Sequence, residues 1–277
     1  MSNLTRPITR TEFERSFGII DLPRPPAGIH DVGDGDFDAI GREFLWNLVH
    51  HAGLEPHHRV LDIGCGVGRL ALPLTAFLDR TGSYTGFDVA AGAIRWCQDE
   101  ISSRHANFSF HAVDLRHPLY NPGGALDPLS FAFPVGEAGV DLAAAVSVFT
   151  HLPPGVMAQY LRQVRRSLAP GGRFFCTAFF LDDAVRARLR AGKCRIPFRA
   201  DDPGFWQEGH ADHPGAAIAV DLDWFVKAAA QAGLGLAGLG LAGPVIRGHW
   251  PDDTGGEGFQ DMCVLQPLDP AMAGGRR

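Results

Sequence analysis

Three glycines at alternate positions are the residues of this chain with the clearest chemical meaning. Gly64, Gly66 and Gly68 follow a short apolar run at 60–63, and a helical pattern begins near residue 69. Glycine lets a backbone approach a ligand that a Cβ atom would hold away. A helix that starts after such a turn offers free N–H groups and a partial positive charge. The pattern predicts a buried strand, a tight turn and a helix that together hold part of a nucleotide-like cofactor.

The spacing of the glycines distinguishes this turn from two glycine-rich turns that bind phosphate groups. A dinucleotide fingerprint needs Gly-x-Gly-x-x-Gly, but here the third glycine comes one residue early and Arg69 holds its place. A Walker loop needs Gly-Lys followed by Ser or Thr, and the segment does not match it. The spacing therefore disfavours an NAD(P)-dependent oxidoreductase, which stays an alternative.

Acidic residues end the next two apolar runs. Asp88 closes the run at 84–88 and comes 20 residues after Gly68, which is the reach of one helix and one strand. A carboxylate there can accept hydrogen bonds from both hydroxyls of a ribose. Asp114 closes the following run, at 108–114. Ligands of open α/β sheets bind beyond the carboxyl ends of the strands, so both acids are candidate ligand-binding residues.

With these motifs, the chain resembles the class I S-adenosylmethionine (SAM)-dependent methyltransferases, within them a group of bacterial small-molecule methyltransferases. Two further segments carry the resemblance: Ser-Val-Phe-Thr-His-Leu at 147–152 and Leu-Ala-Pro-Gly-Gly at 168–172. It covers roughly residues 35–267. It implies an α/β fold with a Rossmann-like, seven-stranded sheet, mostly parallel with an antiparallel edge hairpin and with helices on both faces.

The resemblance implies SAM as the methyl donor and S-adenosyl-L-homocysteine (SAH) as the product. Asp62 would contact the amino group of SAM, Asp88 the ribose and Asp114 the adenine amino group, while Val89 and Leu115 would sandwich the adenine. The alternatives are structural: Asp62 could bond the N–H groups of the turn, and the apolar residues could belong to the core. The full set assigned to the cofactor is Phe37, Arg42, Asp62, Gly64, Cys65, Gly66, Gly68, Asp88, Val89, Asp114, Leu115 and Ser147.

Histidines are the candidate catalytic residues. His151 follows the predicted fourth strand, where the sheet opens onto the substrate, and an imidazole can take a proton from a hydroxyl near neutral pH. His210 and His213 lie in a segment rich in Pro, Gly, His and Asp, and they would enter the pocket if that segment closed over it. The alternatives are local packing for His151 and solvent exposure for the other two.

The residues at the end of the predicted fourth strand disfavour two subclasses of methyltransferase. The segment 144–150 has no carboxylate of the kind that holds magnesium in catechol-type enzymes, so no metal is predicted. It also lacks the Asn/Asp-Pro-Pro-Tyr/Phe sequence of many enzymes that methylate amino groups of nucleobases. We expect metal-independent, in-line methyl transfer to a small molecule, with a hydroxyl of a sugar or natural product favoured. N-methylation of a small molecule or RNA and a non-catalytic binding protein stay alternatives.

Composition limits the partners. The net charge of −6 argues against nucleic acid, and no apolar run is long enough for a membrane span. The five cysteines are scattered without a Cys-x-x-Cys pair, which argues against a zinc site and a disulfide framework, and a cytoplasmic location is the simplest expectation. The sequence leaves open whether the chain forms a homodimer. The basic stretch at 186–199 is typical of a solvated face, with recognition of an anionic substrate group as the alternative.

Apolar periodicity predicts the organisation of the chain. Residues 1–36 form an irregular arm with one short helix near 11–17, residues 37–267 form the domain, an insertion occupies about 181–220, and 268–277 are a tail. Trp206, Trp250 and Phe205 could wall the substrate or form a satellite apolar cluster. The predicted strands are 59–64, 83–89, 108–114, 140–149, 173–180, 234–242 and 259–266. The predicted helices are 37–51, 68–79, 90–103, 155–168, 182–192 and 221–232.

Overall fold

A computed structural model describes most of the chain. The described residues are 9–16, 22–26, 28–29, 36–201, 204–209, 215–237, 245–251 and 258–268. The strands are β1 (Arg59–Ile63), β2 (Ser83–Asp88), β3 (Phe108–Ala112), β4 (Val140–Ala145), β5 (Leu168–Leu181), β6 (Trp206–Glu208), β7 (Ile218–Asp221), β8 (Leu234–Leu236), β9 (Val245–Ile246) and β10 (Asp261–Pro267). The helices are α1 (Arg10–Ser16), α2 (Phe37–Ala52), α3 (Ala71–Phe77), α4 (Ala91–Cys97), α5 (Pro154–Ser167), α6 (Asp183–Arg190) and α7 (Leu222–Gln231).

Seven strands form the main sheet in the order β3-β2-β1-β4-β5-β10-β8. The pairs from β3 to β5 are parallel, whereas β10 runs antiparallel to β5 and to β8. The predicted α/β fold with an antiparallel edge is therefore confirmed. Strand β1 lies between β2 and β4. After β1 the chain builds β2 and β3 on one side of it, and then crosses to build β4 and β5 on the other side. Such a switch point is where open α/β sheets bind their ligands.

Helices cover both faces of the sheet, as predicted. Side chains alternate along β1, so Leu61 and Ile63 join the apolar cluster under α5 and α7, whereas Val60 joins the cluster under α2, α3 and α4. Strand β4 divides in the same way, because Ala143 and Ala145 belong to the first cluster whereas Leu142 and Ala144 belong to the second. Both faces of the central strands are buried, which is why their sequences are nearly continuous apolar runs.

The ends of the helices follow their local sequence. The Asp36 carboxylate accepts hydrogen bonds from the N–H groups of Asp38 and Ala39 and caps α2. Gly53 ends α2 with a φ of 65°. Pro154 is the first residue of α5, a position at which a backbone N–H would have no acceptor within the helix. None of the helices that the structure describes is long and apolar enough to cross a membrane.

The predicted insertion contributes structure of its own. Strands β6 and β7 form an antiparallel pair, and β7 also pairs in parallel with the end of β5. A third apolar cluster lies beneath it, with Phe179, Phe198 and the fully buried Trp250 among its members. Phe205 instead stacks on Trp224 of α7. Of the three predicted aromatic residues, only Trp250 therefore lies in a satellite cluster, whereas Trp206 packs against the main core.

The bounds of several helices and strands differ from those predicted. Helix α3 spans 71–77 rather than 68–79, because residues 65–70 are used in the glycine turn. The predicted helix 90–103 is α4 followed by a wider π-helical turn at Gln98–Ser102. Strand β4 ends at 145 rather than 149, because Ser147 has a φ of 57° and the chain turns away from the sheet. Strand β5 is longer than predicted and begins at 168.

Candidate active site

A cavity of about 400 Å³ opens at the carboxyl ends of β1, β2 and β4. It lies at the switch point of the sheet, where a ligand is expected. Half of the residues assigned to the site from the sequence line it: Gly64, Gly66, Asp88, Val89, Leu115, Ser147 and His151. The sequence therefore located one continuous site from segments that are up to 87 residues apart.

The glycine turn approaches the cavity closely because its backbone is left-handed. Gly64 and Gly66 have φ values of 72° and 52°, which side-chain-bearing residues rarely adopt. The N–H groups of Gly64 and Cys65 both donate to the carbonyl of Phe87, at 2.9 and 3.1 Å, and this links the turn to β2. A Cβ atom on Gly64 would lie 2.5 Å from Cγ2 of Val148. The turn is thus packed so that only glycine fits.

Asp88 connects the turn to the second strand. Its Oδ2 accepts from the N–H of Gly66 and its Oδ1 from the N–H of Ala90, both at 2.8 Å. Burial raises the pKa of this carboxyl, and the same backbone hydrogen bonds oppose the increase. Each carboxylate oxygen has a second lone pair, so Asp88 can still accept from two hydroxyl groups. A half-buried acid held in this way at the cavity wall fits a ribose diol.

Asp62 does not line the cavity, contrary to its predicted contact with the cofactor. It is 3% exposed and accepts a hydrogen bond from the Tyr84 hydroxyl at 2.6 Å. Alternation along β1 explains this, because Asp62 lies on the α2 side of the sheet with Val60, whereas Ile63 faces the cavity. Burial raises the pKa of Asp62 to about 7. The structure gives Asp62 a structural partner, the Tyr84 hydroxyl, rather than the N–H groups of the turn.

Cys65 and Gly68 also lie behind the cavity wall rather than on it. Cys65 is buried and packs against Gly86, where an added Cβ would lie 2.8 Å from its Sγ. Burial raises the pKa of this thiol, which keeps it protonated and agrees with a space-filling role. The N–H of Gly68 donates to the carbonyl of Cys65 at 2.9 Å and closes the turn. Both residues shape the turn without facing the ligand.

Asp114 does not line the cavity, and its predicted contact with the adenine stays a prediction. Its carboxylate accepts from Nδ2 of Asn121 at 3.1 Å and from the N–H of Ala125 at 3.2 Å. The side chain is exposed and anchors the connection between β3 and β4. The neighbouring Leu115, by contrast, is buried and lines the cavity, while its predicted contact with the adenine stays a prediction. The end of β3 reaches the site through its apolar residue.

Two more assigned residues are not brought to the site. Phe37 packs on the apolar cluster under α2, and neither it nor Arg42 lines the cavity. A role in closing over the cofactor from outside stays a prediction for both. His210 and His213 lie outside the described residues. In the predicted basic stretch, Arg186 pairs with Asp221 at 2.6 Å.

His151 is held in one tautomer by the segment after the insertion. Its Nδ1 lies 2.7 Å from the carbonyl oxygen of Gly215, which can only accept, so Nδ1 carries the proton and donates. Burial lowers the pKa of His151 and favours the neutral ring. Nε2 is therefore left with a lone pair, 3.5 Å from the hydroxyl of Tyr120. This is the arrangement that a general base requires.

Sequence reasoning missed two residues beside His151. The Nδ1 atom of His117 accepts from the N–H groups of Leu119 and Tyr120, and its Nε2 donates to the His151 carbonyl at 3.1 Å. Burial lowers the pKa of His117, which agrees with a neutral ring. Both His117 and Tyr120 line the cavity. They belong to the connection after β3, where no periodicity indicates which side chain turns inward.

Ser147 is held in a strained conformation where the chain leaves β4. Its positive φ of 57° is unusual for a residue with a side chain. Its N–H donates to Oγ1 of Thr177 at 2.7 Å, and its hydroxyl donates to Oε1 of Gln260 at 3.2 Å. Such strain persists only where the surroundings fix it, and it is common in ligand sites. The contacts place Ser147 at the cavity wall.

Comparison with known proteins identifies the domain. Residues 61–174 match the family model described as a methyltransferase domain. The chain carries a class I SAM-dependent methyltransferase domain. Its matched segment begins in β1 and ends in β5, so it contains the glycine turn, Asp88 and His151. The predicted family and cofactor are thus confirmed.

Curated relatives of this methyltransferase domain differ in their acceptors. The chain is 26% identical over 164 residues to a tRNA N(3)-cytidine methyltransferase of Danio rerio, covering 56% of this chain and 41% of that protein. It is 30% identical over 148 residues to the nocamycin O-methyltransferase of Saccharothrix syringae, covering 52% of this chain and 47% of that protein. The chain spans less than half the length of each.

A solved structure shares the fold of the methyltransferase domain. The magnesium protoporphyrin IX methyltransferase of Synechocystis PCC 6803, determined with bound SAH, aligns with a TM-score of 0.51. The alignment covers 86% of this chain and 90% of that one at 15% sequence identity. At this identity the likeness shows the fold alone.

Proposed function

We propose that this protein transfers a methyl group from SAM to a hydroxyl oxygen of a small-molecule natural product, without a metal, and that His151 is the general base. The observation that carries the proposal is the shared cavity. Gly64 and Gly66 of the glycine turn, Asp88 and His151 all line the same cavity of about 400 Å³. A cofactor site and a neutral base are thereby combined at one switch point.

The chain's own residues fit SAM. When bound, SAM supplies a methyl group on a positively charged sulfur. Gly64 and Gly66 let the backbone approach the cofactor, and the two oxygens of Asp88 accept from the ribose hydroxyls. Val89 and Leu115 supply the apolar walls that an adenine ring requires.

Most of the rate enhancement in this proposal comes from positioning. Holding donor and acceptor about 3–3.5 Å apart can lower the barrier by roughly 7–11 kcal/mol at best. His151 adds a smaller contribution by taking the hydroxyl proton on Nε2, while Gly215 holds Nδ1–H and prevents the ring from rotating. A general base of this kind contributes about 10²–10⁴-fold in rate.

One relative is named for O-methylation and another for methylation of cytidine in tRNA, so the acceptor atom needs a direct test. A hydroxyl oxygen agrees with a neutral base beside the cavity, because a hydroxyl must lose its proton during the transfer. A nucleic-acid acceptor agrees poorly with the net charge of −6. Small-molecule N-methylation is the remaining alternative.

The experiment incubates the full chain and methyl-labelled SAM with a cell extract, followed by mass spectrometry of the small-molecule and RNA fractions. The proposal predicts label in a small molecule, on an oxygen. Label on a nitrogen would show that the acceptor atom is nitrogen rather than oxygen. Label confined to RNA would contradict a small-molecule acceptor. A matched reaction with His151→Gln should lose most of the labelled product.

A further inference from the structure

The mouth of the cavity is mostly apolar. It is lined by Pro118, Leu119 and Tyr120 from the connection after β3, and by Leu152 and Pro153 just before α5, with the exposed Arg116 beside them. Leu119 and Tyr120 are 44% and 47% exposed, although large apolar side chains are normally buried. Exposed apolar side chains beside a ligand cavity are typical of a surface that binds an apolar ligand.

The volume of the cavity places a second ligand at this mouth. Sites for one drug-sized molecule have volumes of roughly 300–1,000 Å³, and about 400 Å³ is near the lower limit. A cofactor on Asp88 and the glycine turn would occupy most of that space. The acceptor must then contact the residues at the opening, where the side chains of Pro118, Leu119 and Leu152 offer no hydrogen bonds.

Tyr120 shows what fits beside the base. Its hydroxyl lies 3.5 Å from Nε2 of His151, and the two rings meet edge to face with centroids 5.4 Å apart. The ring of His117 lies on its other side, with centroids 4.9 Å apart. A phenol group of the chain thus lies beside Nε2 of His151, and an acceptor oxygen would take the place of its hydroxyl there.

We propose that the acceptor is a phenol, an aromatic ring with a hydroxyl group, which binds across Leu119 and Tyr120 and presents its oxygen to Nε2 of His151. This inference rests on the proposed function and narrows its substrate class from hydroxyl compounds in general. Tyr120 and Leu119 are then residues that determine specificity.

The chemistry of the transfer agrees with this acceptor. The phenol O–H bond breaks and its proton goes to Nε2, the oxygen forms a bond to the methyl carbon, and the carbon–sulfur electron pair stays with sulfur. A phenol has a pKa of about 10, as in tyrosine, whereas water has a pKa of about 15.7 and an aliphatic alcohol is closer to water. Burial lowers the pKa of His151, so it is a weak base that matches a phenol better than a sugar hydroxyl.

The first test measures binding without catalysis. The full chain, saturated with SAH, is titrated in a calorimeter with 2-naphthol, with its saturated analogue decahydro-2-naphthol and with a methyl glucoside. An aromatic ring packed on aromatic side chains predicts about three- to tenfold tighter binding of 2-naphthol than of the saturated alcohol. Equal binding of the two alcohols, or tighter binding of the glucoside, would overturn the phenol.

The second test uses two leucines of equal exposure. Leu119→Ala should weaken 2-naphthol binding about fivefold through lost apolar contact, with the affinity for SAH unchanged. Leu126→Ala is the control, because Leu126 is also 44% exposed but does not line the cavity. Equal effects of the two changes would place the phenol elsewhere. Tyr120→Phe should keep the binding and Tyr120→Ser should lose it.

The two proposals fail in different ways. If SAH binds and a glucoside is methylated while 2-naphthol is not, the phenol is wrong and the methyltransferase stands. If SAH does not bind, the cofactor site itself is wrong, and no acceptor experiment is needed to show it. O-methyl-2-naphthol, detected by mass spectrometry after incubation with SAM, would support both.

Discussion

At the scale of single residues, two acids that look equivalent in the sequence have different roles. Asp88 and Asp114 each stand at the end of an apolar run in the sequence. Of the two, only Asp88 lines the cavity. Asp88 is the last residue of β2 and is bound by two N–H groups of the site. Asp114 lies two residues beyond β3 and is bound by the connection that follows. A sequence pattern located the edge of the sheet but not the direction of the side chain.

Asp88→Asn should weaken the binding of SAH about tenfold, or ~1.4 kcal/mol, because an amide offers one acceptor oxygen where the carboxylate offers two. Calorimetric titration measures the change. Asp99→Asn is the matched control, since Asp99 is an exposed acid that does not line the cavity. An unchanged affinity in Asp88→Asn would remove Asp88 from the cofactor site.

His151→Gln should lower kcat by about 10²–10⁴-fold and leave the affinity for SAH within twofold, because it removes the base and not a cofactor contact. In the unsubstituted protein, the rate should fall only below the ordinary histidine pKa of about 6.5, since burial lowers the pKa of His151 and the base must be neutral. His111→Gln, at an exposed histidine of β3, is the control. A rate that falls equally in both variants would argue against catalysis by His151.

The buried carboxyl of Asp62 should make stability depend on pH. Its pKa is about 7 in the folded chain and about 3.9 when unfolded, so the folded state holds the proton more tightly. The resulting stabilisation is full below about pH 4 and is lost as the pH rises through 7, by up to about 4 kcal/mol. Denaturant unfolding at about pH 5 and 8 measures it. A dependence that persists in Asp62→Asn would have to come from other groups.

At the scale of elements, the alternation of strands and helices was predictable, whereas several ends were not. The main strands were predictable because both of their faces are buried, which produces apolar runs that end in turn residues. The end of β4 depends on Ser147, whose positive φ is imposed by Thr177 and Gln260 from distant segments. A contact between residues 30 or 113 positions apart leaves no local signal.

A buried acid of β10 joins the end of β5 to the segment after β9. Asp261 is fully buried in β10 and accepts hydrogen bonds from the N–H groups of Phe180 and Gly248 and from Nε1 of Trp250. It also pairs with Arg247 at 3.2 Å. These contacts join the end of β5, the segment after β9 and the third apolar cluster.

Asp261→Ala should lower the free energy of unfolding by at least about 3 kcal/mol, because three buried donors lose their acceptor at about 1–3 kcal/mol each. Chemical denaturation measures the loss. Asp183→Ala, at an exposed acid in the first turn of α6, should change the stability by less than about 1 kcal/mol. Similar losses in both variants would show that the network does not hold this part of the fold.

At the scale of the whole molecule, the sheet explains why a cofactor site was predictable and an acceptor site was not. Parallel strands bring their carboxyl ends to one edge of the sheet. Once the order of the strands in the sheet is known, the residues that follow β1, β2 and β4 are expected to lie close together. The acceptor side is built from the connection after β3 and from Gly215, which have no periodic pattern. His117 and Tyr120 reach the cavity because their own hydrogen bonds fold that connection inward.

The most direct test of the account is a calorimetric comparison of SAH and NADH on the full chain. The glycine turn, Asp88 and the shared cavity predict saturable binding of one SAH per chain and at least tenfold weaker binding of NADH. No heat from SAH at millimolar concentration, or tighter binding of NADH, would contradict the claim that this cavity is built for an adenosyl sulfonium.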